Sequence, residues 1–375
     1  MAAKQSEGSG DVLFRVESAL KKNNICLLLG GRRAGKTRVV KELLEAHSKD
    51  SVVVYVDANK ISLTPENFSI EFIGTVLWAA QGKPLEGVLP FSINHLLKKE
   101  KELHQDAIEH INTLHNELQK IKPDHKLLLK NAFAFPDAIA KHYKKQVLVL
   151  VDNAEQLLEL QNFYAVEDVS EFFKDTTAKY VLATSAVSEM AFAFPSAEQA
   201  ALGPLEWKHA EDLLKREWQG IDKKAAEEIY ELSKGHPFVL SVLAKKAKGQ
   251  KGVSVSKSFY SELLRVDGAL YAHCSDAVNY ALSRARGRTL PKVILKVVAQ
   301  EPLRLSEIAK CIYRSAPVTK SLIERLVAVE LLKKEGKVFL FTDPLVGLWV
   351  KLVSSGFEFE EEPSEEQLKE AMARA

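Results

Sequence analysis

Cysteine is scarce. Cys26, Cys274 and Cys311 are the whole complement, they lie far apart, and none has metal-ligand spacing to another. An odd, sparse set is a poor disulfide framework and suits a reducing compartment. Long apolar runs are also missing: none approaches the roughly 18 residues that would read as a bilayer span. The first ten residues, MAAKQSEGSG, carry no apolar segment of the secretory kind. These absences predict a flexible N-terminal tail over 1–11, no membrane partner and a cytoplasmic location. Nor does one sign of charge dominate. Lys and Arg total 52 against 50 Asp and Glu, with a pI near 8.2. Any electrostatic argument for a partner must therefore be local.

What the chain does contain is apolar material: 46% hydrophobic residues over 375 positions, enough for two or three ordinary cores. The run ICLLL at 25–29 is short, continuous and bounded by glycine, as a strand buried on both faces would be. Val39, Val40, Leu43 and Leu44 then fall at helical spacing. SVVVYVD at 51–57, QVLVLVD at 146–152 and KYVLATS at 179–185 repeat the strand signal. Strands alternating with helical stretches predict an α/β fold with a parallel sheet covered on both sides. Between the second and third strands, Leu96, Leu97, Leu103, Ile108, Ile111, Leu114, Leu118 and Ile121 mark one apolar stripe, read as a helical insertion at about 90–130 packed on the core. His95, His104, His110, His115 and His125 accompany it. No pair of them has the step that puts two ligands on one helix face, so they read as solvated helix residues.

Residues 205 to 285 read as helices only, broken at Gly235-His236-Pro237 and over 248–258. From about 288, LPKVILKVVA, LSEIAKCIY and VTKSLIERLVAVELL give three helices, and KKEGKVFLF a hairpin turning at Gly336. Three short helices followed by a two-stranded wing is the winged-helix order. The Glu-rich 358–375 segment reads as a solvated acidic tail.

The motif carrying chemistry is Gly30-Gly31-Arg32-Arg33-Ala34-Gly35-Lys36-Thr37. Glycines let successive N–H groups turn inward and form an anion nest at a helix N-terminus. Lys36 brings a compact positive charge to β and γ phosphates, and Thr37 offers a hydroxyl to Mg²⁺. Arg32 and Arg33 hold variable loop positions, as phosphate contacts or solvated rim charges, and Arg38 completes the candidate nucleotide-binding set. At the end of VLVLVD, Asp152 is the expected second magnesium-site residue, a carboxylate that can hold Mg²⁺ through water. The acid that usually follows, to polarise the attacking water, is replaced by Asn153. Glu155 either reaches that water or is a surface acid. Thr184 and Ser185 either sense the γ-phosphate or simply end a strand.

With these residues in place, the chain resembles the archaeal-type P-loop ATPases, an AAA-like clade close to the STAND signalling NTPases. GGRRAGKT looks like their phosphate loop, LGPLEWKHAEDLL their post-sensor segment, ELSKGHPFVLSVL their Gly-x-Pro element, and FTDPLVGLWV their Asp-Pro-x-x-x-x-Trp stretch. The resemblance runs from about 12 to 353. It implies a P-loop NTPase parallel-sheet core (12–204), a helical lid (205–287) and a winged-helix domain (288–357). It also implies ATP or ADP with Mg²⁺ between core and lid, and a nucleotide-sensing role for His236 and Pro237. Two departures are Asn153 and an N-terminal element reduced to Phe14-Arg15-Val16-Glu17.

Within 291–357, basic residues outnumber acidic ones. Arg314, Lys320 and Arg325 fall around the expected recognition helix, and Lys333, Lys334 and Lys337 on the wing, positions suited to duplex DNA phosphates. A protein or intramolecular partner fits the same patch. Three readings follow: a slow ATP hydrolase acting as a nucleotide switch on the winged helix; a DNA-binding ATPase of origin-recognition or mobile-element type; and a non-hydrolysing nucleotide-bound scaffold. Arg284, Arg286 and Arg288 cluster before the last domain, but no arginine finger is assigned.

Overall fold

The computed structural model describes residues 9–82, 92–99, 103–163, 166–249, 254–285 and 289–375. Most of the expected tail, parts of the insertion, and Arg286 and Arg288 lie outside the described residues. The chain forms two compact units, Met1–Gly203 and Pro204–Ala375.

In the first unit, helix α1 (Ser9–Lys22) leads into β1 (Ile25–Leu29), α2 (Lys36–His47) and β2 (Val52–Asp57). Then come α3 (Pro65–Ala80), α4 (Ile93–Lys99), α5 (Gln105–Leu118), α6 (His125–Tyr143) and β3 (Val147–Asp152). Two 3-10 helices, Ala154–Phe163 and Val166–Phe173, precede β4 (Lys179–Thr184), α7 (Val187–Ala193) and β5 (Glu198–Ala201). The strands form one sheet in the order β2-β3-β4-β1-β5, all parallel. The fold is α/β, as the alternating pattern predicts. Every residue of β1 and β3 is buried, and the pleat divides them between two cores. Ile25, Leu27 and Leu29, with Val147, Val149 and Val151, pack towards α3 and α6. Cys26, Leu28, Leu148 and Leu150 pack towards α1 and α2.

The inserted helices join the first core: Leu96, Ile111 and Leu114 are buried in the cluster that covers the sheet. Ile121 departs from the stripe. It sits in the bend between α5 and α6, fully exposed. His110 Nδ1 and Asn131 Oδ1 are 2.8 Å apart, and His125 Nε2 and Glu66 Oε1 likewise; these two rings are held by partners rather than simply solvated. The fifth strand, β5, is unannounced in the sequence because it is a sheet edge of sequence EQAA, with only Ala200 buried.

The second unit opens with α8 (Trp207–Glu217), α9 (Lys223–Ser233), α10 (Pro237–Gly249), α11 (Val255–Leu264) and α12 (Ala269–Arg284). It continues with α13 (Thr289–Val298), β6 (Leu303–Arg304), α14 (Leu305–Cys311), α15 (Ala316–Ala328), β7 (Leu332–Glu335), β8 (Val338–Phe341), α16 (Pro344–Ser354) and α17 (Glu365–Arg374). β6, β8 and β7 form a small antiparallel sheet, and Gly336 at φ 60° makes the tight turn. One apolar cluster runs from Ala210 to Ala371, so the segments on either side of residue 288 share a core.

The acidic segment differs from a solvated tail. Leu368 and Ala371 of α17 are buried, Glu362 accepts from Ser261 at 2.6 Å and pairs with Arg265, and Lys257 pairs with Glu365. The physical reason is amphipathy: two apolar residues three apart on a capped helix find an apolar face, while the acids find cations around α11. Among the described residues, no helix is long and apolar enough to cross a membrane.

Candidate functional site

The loop between β1 and α2 is shaped by its backbone. Arg33 has φ 58° and Gly35 φ 102°. Gly35 is the N-cap of α2 and gives no side-chain cap to it, so it leaves the first amides of α2 uncapped, the groups an anion nest uses. An alanine at Gly35 would be held in a strained left-handed conformation. Lys36 opens the helix and folds back: its ammonium donates to the carbonyls of Gly30 and Gly31 at 2.9 and 2.8 Å, and the residue is only 9% exposed. The start of the loop is tied to the neighbouring strand β4: the Gly30 N–H donates to the Thr184 carbonyl at 3.3 Å. Arg38 turns outward and pairs with Glu42 at 2.7 Å.

Thr37 and Asp152 meet although 115 residues separate them: the threonine hydroxyl donates to Asp152 Oδ2 at 2.7 Å. Asp152 is 3% exposed at the end of β3. Two oxygen donors this close match adjacent ligand positions around a small hard cation, about 2.9 Å apart in an octahedral shell. The pair therefore fits Mg²⁺. Tyr55 on β2 also belongs to this corner, which no sequence motif announces. Burial, then the charges of Asp152 and Asp57 and a hydrogen bond with Asp152, push its hydroxyl up to about 12.

Asn153 and Glu155 diverge. Asn153 adopts a left-handed φ of 54°, and its amide reaches Asp57 on β2 at 2.9 Å, away from β4. Glu155 lies in the first 3-10 turn after β3 and is 4% exposed. It accepts from the Ser185 hydroxyl at 2.7 Å and from the Ser185 amide at 3.3 Å. β4 lies between β3 and β1 in the sheet, so Glu155 is turned towards the loop-bearing strand. It is not a surface acid. Thr184 is fully buried, and its hydroxyl accepts from the Ala186 amide at 3.0 Å, a strand-ending use.

A parallel sheet with strand order β2-β3-β4-β1-β5, a glycine loop opening α2, and an acid at the end of β3 define the core. It has the P-loop NTPase fold. No protein-family model matches the chain, and no curated protein matches it. Solved structures do. The chain is similar to a Walker-type ATPase of Pyrococcus abyssi at 16% identity and TM-score 0.63, over 91% of this chain and 95% of that one. It also aligns with a Thermotoga maritima RuvB mutant (13% identity, TM-score 0.40, 90% and 92% covered). The Orc1 protein of Aeropyrum pernix in complex with DNA gives 13% identity and TM-score 0.43, with 93% and 92% covered. The first supports the fold; the last two are too distant to add to it.

The remaining candidates belong to the second unit. Pro237 is the first residue of α10, and His236 directly precedes it. The helix stop is shared: Lys234 takes the left-handed cap at φ 49° and Gly235 follows at φ 77°. Lys320, Lys334 and Lys337 line one groove of about 370 Å³ with Leu305, Ile323, Glu324, Val327 and Phe339. Lys320 pairs with Glu324 at 3.7 Å and Lys333 with Glu335 at 2.6 Å. Arg325 is exposed on α15.

Proposed function

We propose that the first unit binds ATP with Mg²⁺ and hydrolyses it slowly, and that the nucleotide state switches the second unit. The observation that carries this is the 2.7 Å contact of Thr37 with Asp152 beside an ammonium folded into the loop. Arg32, Arg33, Ala34 and the glycines form the rim and floor of the phosphate cradle. Lys36 spreads positive charge over the transferring phosphoryl oxygens. Thr37 and Asp152 would hold Mg²⁺, which would supply charge neutralisation to the nucleotide phosphates.

Glu155 is the general base. Its carboxylate takes the proton of a water positioned for in-line attack, and Ser185 orients that carboxylate through two hydrogen bonds. Asn153 supports the site by tying the end of β3 to β2. His236 and Pro237 belong to a helical lid over 205–287 and respond to the nucleotide. The 288–357 segment is a winged-helix domain, supported by its helix-strand-helix-helix-hairpin order.

Phosphate release and nucleotide binding, measured together, test this. Lys36→Ala is expected to lose binding by at least about tenfold. Glu155→Gln is expected to keep binding while turnover falls on the order of a hundredfold. Equal turnover in Glu155→Gln and wild type would remove Glu155 from the reaction. Wild-type turnover at background with tight binding would leave the non-hydrolysing scaffold reading.

A second reading is favoured by one observation: three lysines of the winged-helix segment converge on one groove. Duplex DNA phosphates are the partner that such an array would recognise, making the chain a DNA-binding ATPase.

A further inference from the structure

His236, His273 and Asp343 come from three elements of the second unit and converge on one point. His236 precedes α10, His273 lies in the first half of α12, and Asp343 is the N-cap of α16. Each offers one ligand atom, and these atoms all lie within 4.8 Å of one another. His273 is 3% exposed. Among the described residues its Nε2 has no hydrogen-bond partner, and it sits 3.7 Å from Asp343 Oδ2. The other carboxylate oxygen of Asp343 is already engaged, accepting the Leu345 amide at 2.8 Å. Phe238 packs on the His273 ring, centroid to centroid 5.2 Å, which limits its reorientation.

We propose that these three side chains form a divalent metal site of the zinc class, with two imidazole nitrogens, one carboxylate oxygen and a fourth position for water. The donor set decides the class. Mg²⁺ and Ca²⁺ select all-oxygen shells, whereas two imidazoles with one carboxylate suit Zn²⁺ and the late first-row ions. Tetrahedral zinc places its ligand atoms about 3.3 Å apart. The His273–Asp343 separation is close to that already, and the rest closes by rotation of side chains. The ion would fasten the turn before α10 to the start of α16, joining the Gly-His-Pro and Asp-Pro elements. The site lies wholly within the second unit and does not depend on the nucleotide reading.

The test uses the full chain carrying Thr37→Ala and Cys311→Ser, which remove one of the two magnesium-site residues and the exposed thiol. After chelation and desalting, the protein is titrated with Zn²⁺ by calorimetry and with Co²⁺ by visible absorption. One ion per chain is expected, with affinity falling about tenfold or more on adding His273→Gln or Asp343→Asn; Asn preserves the helix cap. No saturable uptake up to about 100 μM Zn²⁺, or uptake unaltered by both substitutions, overturns the proposal. If the variants do not fold, X-ray absorption of the zinc-loaded parent decides. Two imidazoles and a carboxylate support the site, and a thiolate or all-oxygen shell overturns it.

Discussion

Asn153 and Glu155 stand two residues apart and face opposite neighbours, Asp57 on β2 and Ser185 just past β4. A single left-handed residue and a 3-10 turn produce this divergence. The sequence alone could not decide it, because the direction of a side chain after a strand depends on the local turn. By contrast Lys36, Thr37 and Asp152 were legible: a glycine-spaced loop after one buried strand and an acid ending another are local patterns. Tyr55 was invisible, since its importance lies in its distance from two acids. Its hydroxyl is pushed up to about 12, first by burial, then by Asp152 and Asp57. The folded chain thus keeps a proton that the unfolded chain releases near pH 10. The stability this contributes is complete below pH 10 and is lost as pH rises through 12. Tyr55→Phe is expected to flatten the fall in urea midpoint between pH 10 and 12, and an identical fall in both proteins would contradict the assignment.

The elements that sequence found are those with continuous apolar runs or strong helical period, β1 to β4 and the helices around α15. β5 escaped because an edge strand needs backbone pairing more than apolar side chains, and β6 because two residues carry no pattern. The Gly235 turn belongs to this scale. Gly235 has φ 77°, its carbonyl accepts the Leu205 amide at 2.8 Å, and a β-carbon there would lie 2.4 Å from the Leu205 carbonyl oxygen. Backbone must move to admit any side chain. Gly235→Ala is expected to destabilise the second unit by at least about 2 kcal/mol, read as a lower midpoint in its chemical unfolding. A midpoint equal to that of wild type would show that the turn is not tightly held.

At the scale of the whole molecule, the parallel core and the helical second half follow from the order of patterns along the chain. The shared apolar cluster of the second unit does not, because it depends on which helix faces meet. The three histidine and aspartate residues that converge there were equally hidden, being far apart in sequence. Docking of α17 bears on partner choice: Glu365 at its start engages Lys257, and Glu362 just before it engages Arg265. If the lysine groove receives duplex DNA, affinity should fall steeply with salt, and replacing Lys320, Lys334 and Lys337 together by Ala should lower the salt slope by roughly 3. Unchanged binding in that variant would end the DNA reading.

The central claim, a magnesium-dependent triphosphate site at the start of α2, is tested most directly by calorimetric titration of ATP into the full chain, with Mg²⁺ and with EDTA, for wild type and Thr37→Ala. Saturable binding that weakens about tenfold or more without Mg²⁺ or without the Thr37 hydroxyl is the expected result. ATP affinity that is absent, or the same in all four titrations, would contradict it.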